Sequence, residues 1–472
     1  MNSKDKDRTA TDFIKMGQAT LISTRWLIAL LSLTAVAVLP LCGVLLAGHS
    51  VGPYLEFPPR PRSVSHEPFS WPVFIGLATC ILVAVAPFVS RVIRSQAATG
   101  GSATASRERA LSDFTHPPRA SFHTRPSPGC RATDDPGRRL SQVHPPAPRT
   151  SEIALSQAHS FPWWGWAGLV WTGLAWILAW NRWEWVGEWQ LHTFTPLWLG
   201  YIVVINALTV SRVGSCLMQR DTGRFLSLFP ISAVFWWSFE YLNRFVENWY
   251  YVGVRESTAG EYIVLATVPF STVLPAVLST AEWVRTYPRL SLGLARAWRM
   301  PLVQGRRAGW ILLAGAGSGL IGISLWPEVL FPLVWVAPLL LVTGLQLLMK
   351  QETIFAATAR GDWKLLWISA LASLMCGVFW EMWNSGSLAH WEYGIPFTHR
   401  FQLFEMPLLG YAGYLPFGLE CVAIVQLFFP TVFTSLQESP VAEVAARPLY
   451  PDEGQVNLSS ASSSFSARNT MS

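Results

Sequence analysis

The chain has 472 residues, of which 51% are hydrophobic and only 14% charged, and 25 are Trp. So few charges exclude an ordinary soluble surface for a chain of this size. The net charge of +6 follows the placement of Arg around apolar runs, so it marks topology and no nucleic-acid partner is expected.

The apolar residues fall in runs of about 18 to 25, the length that crosses a bilayer core. Ten are predicted, at roughly 26–47, 73–93, 162–181, 196–213, 226–246, 262–284, 309–326, 329–349, 364–384 and 406–432. The runs at 309–326, short and Gly-rich, and at 226–246, which carries charge, are the ones expected to tilt, break or re-enter. The runs are continuous, without the short alternation of β-barrel strands, so the expected fold is all-α: a polytopic transmembrane helical bundle. The first run lacks an A-x-A-type cleavage site after it and is expected to be a retained helix.

Of the 35 Lys and Arg residues, Arg60, Arg62, Arg182, Arg244, Arg255 and Arg400 fall on one side of the predicted topology, and the other 29 on the opposite side. By the positive-inside rule, that asymmetry predicts an inner (cytoplasmic) membrane protein with both termini cytoplasmic. The six Cys contain no C-x-x-C, so neither a disulfide framework nor a metal site is expected. None of the nine His lies in an apolar run, and no Walker A loop or haem motif is present, so no cofactor is predicted.

The expected layout is a two-helix N-terminal appendage over 1–94, a basic Pro/Ser/Gly-rich linker over 95–160 expected to be disordered, a first transmembrane unit over 161–285, a basic connector over 286–308, a second unit over 309–434, and a tail over 435–472 expected to be disordered. Arg residues of the linker and Arg296, Arg299, Arg306 and Arg307 of the connector are candidates for contact with anionic lipid headgroups.

The two units read as tandem copies. Glu240 and Asn243 in "FEYLNRFVENWYY" meet Glu381 and Asn384 in "WEMWNSGSLAHWEY" at a shift of 141. Trp249-Tyr250-Tyr251 meets Trp391-Glu392-Tyr393 at 142, Leu274-Pro275 meets Leu415-Pro416 at 141, and Ile-Ser-Ala at 231–233 meets 368–370 at 137. An even number of helices per copy predicts parallel repeats about an axis along the membrane normal.

Glu240, Asn243, Arg244 and Glu247 form one helical stripe, and Glu381 and Asn384 repeat its first two members. Carboxylates in apolar runs turn away from lipid, so these pairs are expected at the repeat interface, either as helix-to-helix glue or as ligand or proton sites. Arg244 is expected beside Glu240, with Ser385 at the matching place, which would make Glu381 the more readily protonated of the two. The tenth run adds Glu405 at its edge and Glu420 near mid-membrane, with Pro407 and Pro416 expected to break the helix. Glu282 is the candidate counterpart of Glu420, at a register two or three residues off. Trp249, Tyr250, Trp391 and Tyr393 read as an interface belt or as an aromatic mouth for a ligand.

The fragments Trp391-Glu392-Tyr393 and Glu405-Met406-Pro407, in duplicated helical units, loosely resemble short motifs of membrane-bound carotenoid cyclases, although the order of Pro and Glu differs. That resemblance implies an alternative, a membrane-embedded enzyme of isomerase or cyclase type with a carboxyl as general acid. The leading expectation is binding or transport of a small or apolar solute at the repeat interface through buried carboxylates. A scaffold without chemistry is the third.

Overall fold

The protein was analysed as a computed structural model, which describes residues 3–59, 66–115, 159–254, 258–301 and 304–430. Eleven main helices carry the fold: α1 (Ser3–Leu46), α2 (Trp71–Thr115), α3 (Trp163–Trp180), α4 (Phe194–Val213), α5 (Thr222–Val246), α6 (Ala259–Phe270), α7 (Val273–Arg285), α8 (Gly305–Leu325), α9 (Ala337–Leu348), α10 (Lys364–Gly386) and α11 (Tyr414–Phe428). Among the described residues four short strands complete it: β1 (Trp249–Val252), β2 (His390–Tyr393), β3 (Gln402–Leu403) and β4 (Met406–Pro407).

The architecture is an all-α bundle. Among the described residues, eight helical segments are long and apolar enough to cross a membrane, and a ninth is added if a bent pair counts as one span. That pattern fits a multi-pass membrane protein. The Trp-rich α3 falls outside this count although it occupies the place of the third expected span, because six of its 18 residues are Trp and the indole lowers its hydropathy.

The breaks fall elsewhere than expected. α8 runs straight through its glycines, and α5 runs unbroken through its charges. The bend lies between Pro327–Trp335 and Ala337–Leu348, at 52°. Pro332 and Pro338 explain it: each lacks an N–H and restricts the residue before it, so one regular helix cannot pass both. The span at 406–432 begins later than its hydropathy implies. Gln402–Leu403 and Met406–Pro407 pair as a small antiparallel hairpin, a 3-10 helix covers Leu408–Gly413, and α11 starts at Tyr414. Pro407 therefore lies in a strand. Pro416 sits in the first turn of α11, where a missing N–H costs no hydrogen bond. Neither kinks the helix at mid-membrane.

α2 continues to Thr115, beyond the expected boundary at residue 94. The rest of the linker, 116–158, and the tail from 431 lie outside the described residues.

Small residues set the closest approaches. A Cβ on Gly418 of α11 would collide with the Ser369 carbonyl oxygen of α10, and one on Gly377 would enter the Tyr414 ring. Gly309 of α8 and Gly344 of α9 face each other in the same way. Close backbone approach over small residues is how helices associate where hydrophobicity supplies no preference between lipid and protein.

The bundle has two distinct ends. At the arginine-rich end, buried Glu282 pairs with Arg220 at 2.6 Å and accepts the Leu217 N–H at 2.8 Å. At the other end, β1 and β2 form a two-stranded antiparallel ribbon that joins the chain after α5 to the chain after α10. His66, from the loop between the first two helices, meets Glu328 Oε1 through Nδ1 at 2.9 Å and the Glu247 carbonyl through Nε2 at 3.1 Å.

Candidate functional site

Glu240 and Asn243 stand one turn apart near the C-terminal end of α5, and Glu381 and Asn384 do the same in α10. The two asparagines do identical work. Asn243 Nδ2 donates to the Trp249 carbonyl at 2.7 Å, and its Oδ1 accepts the Asn248 N–H at 2.8 Å. Asn384 Nδ2 donates to the Trp391 carbonyl at 2.6 Å, and its Oδ1 accepts the Trp391 N–H at 2.8 Å. Each side chain thus holds the start of the following strand as a backbone partner would, which satisfies backbone polar groups at the end of the helix.

The strands then point aromatic donors back at the carboxylates. Glu240 Oε1 accepts from Trp236 Nε1 at 3.0 Å, Trp249 Nε1 at 3.2 Å and the Tyr251 hydroxyl at 2.5 Å. Glu381, 0% exposed, accepts on Oε1 from the Tyr393 hydroxyl at 2.7 Å and the Tyr414 hydroxyl at 2.6 Å. Trp391 Nε1 donates to the Tyr393 hydroxyl at 2.8 Å and lies close to Glu381 as well. The second oxygen of Glu381, Oε2, has no hydrogen-bond partner among the described residues.

Across the ribbon, Trp249 faces Tyr393, Tyr250 faces Glu392 and Tyr251 faces Trp391. Tyr250 donates to Glu392 Oε2 at 2.7 Å, and that bond to the carboxylate, reinforced by partial burial, holds the Tyr250 phenol above its ordinary pKa.

Between the two carboxylates lies a packed aromatic cluster. The Phe417 ring contacts Phe235, Phe239, Trp236, Trp335 and Trp380, at centroid distances of 5.4 to 6.2 Å. Trp335 packs on Phe239 at 5.2 Å and Trp198 on Trp380 at 4.9 Å.

Among the sequence-predicted residues, the structure joins Glu240, Asn243 and Trp249 in one constellation and Glu381, Asn384, Trp391 and Tyr393 in its counterpart. Tyr250 links the two. Of the remaining predicted positions, Arg244 lies within electrostatic reach of Glu240 as expected, and Glu405 within reach of Glu381 and Tyr250. Arg244 does not hydrogen-bond Glu240; its Nη1 donates to the Tyr54 and Glu56 carbonyls at 2.9 Å each and ties down the loop after α1. Glu247 is the left-handed cap of α5, with φ of 49°. Glu405 sits in the turn of the small hairpin, where its carbonyl accepts from Gln402 Nε2. Glu420 is buried in α11, away from the ribbon, and is no equivalent of the ion-paired Glu282.

Sequence reasoning passed over Trp236 and Tyr414, and read Tyr251 only as part of an aromatic repeat match. Trp236 was legible in principle, since it precedes Glu240 by four residues and so lies on the same helical face. Tyr414 was not: it reaches Glu381 from 33 residues away. The belt reading fits other residues better. Trp163, Trp166, Trp185 and Trp189 are exposed, whereas Trp249 and Trp391 turn inward.

The chain matches no known family model, and no curated protein or solved structure is significantly similar to it.

Proposed function

We propose that the protein is an inner-membrane protein of about ten spans, with both termini cytoplasmic, built on two tandem four-helix repeats, and that it binds or transports a small or apolar solute where the repeats meet. The duplication is supported by paired geometry: Asn243 and Asn384 tie down their strands alike, and Trp335 on Phe239 mirrors Trp198 on Trp380, each pair crossing from one half to the other. α3 counts as a span in this reading, and α1 with α2 forms the appendage.

The observation that carries the solute reading is the asymmetry at Glu381. Its Oε1 has two phenolic donors, while its Oε2 is buried and open, beside the aromatic cluster. A buried acceptor without a partner costs about 1–3 kcal/mol, so structural glue alone would be expected to close it. An apolar body against Trp380 and Tyr414 with one polar hydrogen directed at Oε2 would fill that need.

Mass spectrometry of small molecules that co-purify with the full-length protein tests this. Wild type should retain an apolar solute bearing a donor group, and Glu381→Gln should lose it. Retention by Glu381→Gln, or recovery of no solute by either, contradicts the proposal. Altered lipid or pigment content in the host, without solute flux in proteoliposomes, would favour the enzyme alternative.

A further inference from the structure

A second set of polar groups lies deeper in the bundle, and neither the ribbon nor the carboxylate cages use it. Glu420 of α11 is 1% exposed, and Thr343 and Gln346 of α9 are 1% and 2% exposed. Ser32 of α1 is buried as well, at 8%. Glu420 Oε2, Thr343 Oγ1, Gln346 Oε1 and Ser32 Oγ have no hydrogen-bond partner among the described residues.

These four lie on three mutually packed helices at a similar depth in the bundle. α1, α9 and α11 pack against one another pairwise. The Trp26 and Phe428 rings meet at 5.1 Å, which sets α1 against α11. A helix rises about 1.5 Å per residue, so Ser32 lies about 9 Å from that contact and Glu420 about 12 Å, both toward the ribbon end. The depth of α9 follows from α8. Gly43 packs on Ile321 and Leu39 approaches Gly317, so Ser32 falls level with residue 310. Gly344 faces Gly309 and Leu313, which brackets that level and puts Thr343 and Gln346 within a turn of it.

The first half shows the same junction bridged by a direct hydrogen bond, with Asn206 Oδ1 still without a partner among the described residues. There Asn206 of α4 donates through Nδ2 to Ser279 of α7 at 2.8 Å. The repeat offsets carry Asn206 onto Thr343 and Ser279 onto Glu420, and α9 packs on α11 as α4 packs on α7. The second half therefore has a hydroxyl in place of the amide and a carboxyl in place of the hydroxyl.

All four open atoms are oxygens, and only one belongs to a carboxylate. Neutral oxygens cannot balance an ionised carboxylate buried in a bundle, so this carboxyl is neutralised by a proton or by a bound cation. A cation of single charge neutralises it and is coordinated by the other oxygens, which suit hard ions. A divalent ion would leave a net positive charge buried. Among the described residues no group of three His, Cys, Asp or Glu is placed to hold a metal ion, so the donor set does not fit zinc or its relatives. We propose that Glu420, Thr343, Gln346 and Ser32 form a binding site for a monovalent alkali cation of the sodium class. The pairing of Thr343 with Glu420 rests on the duplication proposed above; the cation site does not depend on the solute.

Thermal unfolding of the full-length protein in detergent, followed by Trp fluorescence, tests this with sodium chloride titrated against choline chloride at fixed ionic strength and pH. Wild type should gain stability saturably with sodium. Glu420→Gln should unfold at the same temperature in both salts. Thr343→Val should move the sodium midpoint about tenfold higher, the effect of about 1.4 kcal/mol, and reads the site even if Glu420→Gln fails to fold. Asn206→Ala, at the bridged junction, should lower stability and keep the sodium response. Equal unfolding of wild type in sodium and choline, a response to pH alone, or a sodium response that survives in Glu420→Gln would each overturn the site. Loss of co-purified solute with an intact sodium response would instead refute only the solute reading.

Discussion

At the scale of single residues, the asparagines show most plainly how the polar interior is held. Asn384 closes both backbone polar groups of Trp391. Asn384→Ala should lower stability by about 2 kcal/mol, read as a shift in detergent unfolding, because two bonds go and their partners are stranded. Tyr250 makes a second expectation at this scale. Its phenol is stabilised by Glu392, so phenolate should form above the ordinary tyrosine range, and Glu392→Gln should bring that titration down toward it. The sign follows: the protonated phenol is favoured in the folded ribbon, so this bond contributes below the unfolded-state pKa of tyrosine and is lost as pH rises through the folded one. Unchanged ultraviolet titration of the variant would count against the bond. Glu240, Asn243, Glu381 and Asn384 were legible in the sequence because carboxylates and amides in apolar runs must turn inward. Their partners were not. Tyr414 comes from a distant helix, and Arg244 lies one turn from Glu240 yet binds carbonyls of another loop.

At the scale of elements, the helices were visible as apolar runs, while the ribbon was hidden. Trp249–Val252 and His390–Tyr393 are four residues each and pair across about 140 positions, and their Trp and Tyr content reads equally well as a membrane-interface belt. The prolines of the last span misled for a related reason. Composition shows that a helix is interrupted, but the position of its first turn decides whether Pro416 breaks it or begins it. Packing between α10 and α11 depends on Gly418 more than on either proline. Gly418→Ala should cost about 1–3 kcal/mol by forcing the helices apart, since its Cβ would meet the rigid backbone of Ser369 and no flexible side chain. Equal thermal unfolding of Gly418→Ala and wild type would show that this contact is looser than the geometry indicates.

At the scale of the whole molecule, each half contributes an aromatic to the other, Trp335 to Phe239 and Trp198 to Trp380, and the ribbon links the halves at one end. The opposite end is secured differently. Glu282, buried, pairs with the partly buried Arg220, and Arg220→Ala should cost about 3 kcal/mol, because it takes a charged partner from a buried carboxylate. A small effect, or rescue at high salt, would mark that pair as solvated. The sequence match at shifts of 137 to 142 keeps its order across three predicted spans, which is the basis for proposing two related units. It could not show that the units exchange aromatics across their boundary, because sequence alignment relates each half to its likeness and says nothing of contact between them.

Cysteine cross-linking in native membranes tests the junction of the halves most directly, with Tyr250→Cys paired to Glu392→Cys. These positions face each other in the ribbon, where opposed Cα atoms lie about 4.5 to 5.5 Å apart, within disulfide range. Rapid disulfide formation by this pair, and far slower formation when Tyr250→Cys is paired with Arg400→Cys, is the predicted result. No cross-link between 250 and 392, or an equal rate for the control pair, would contradict it.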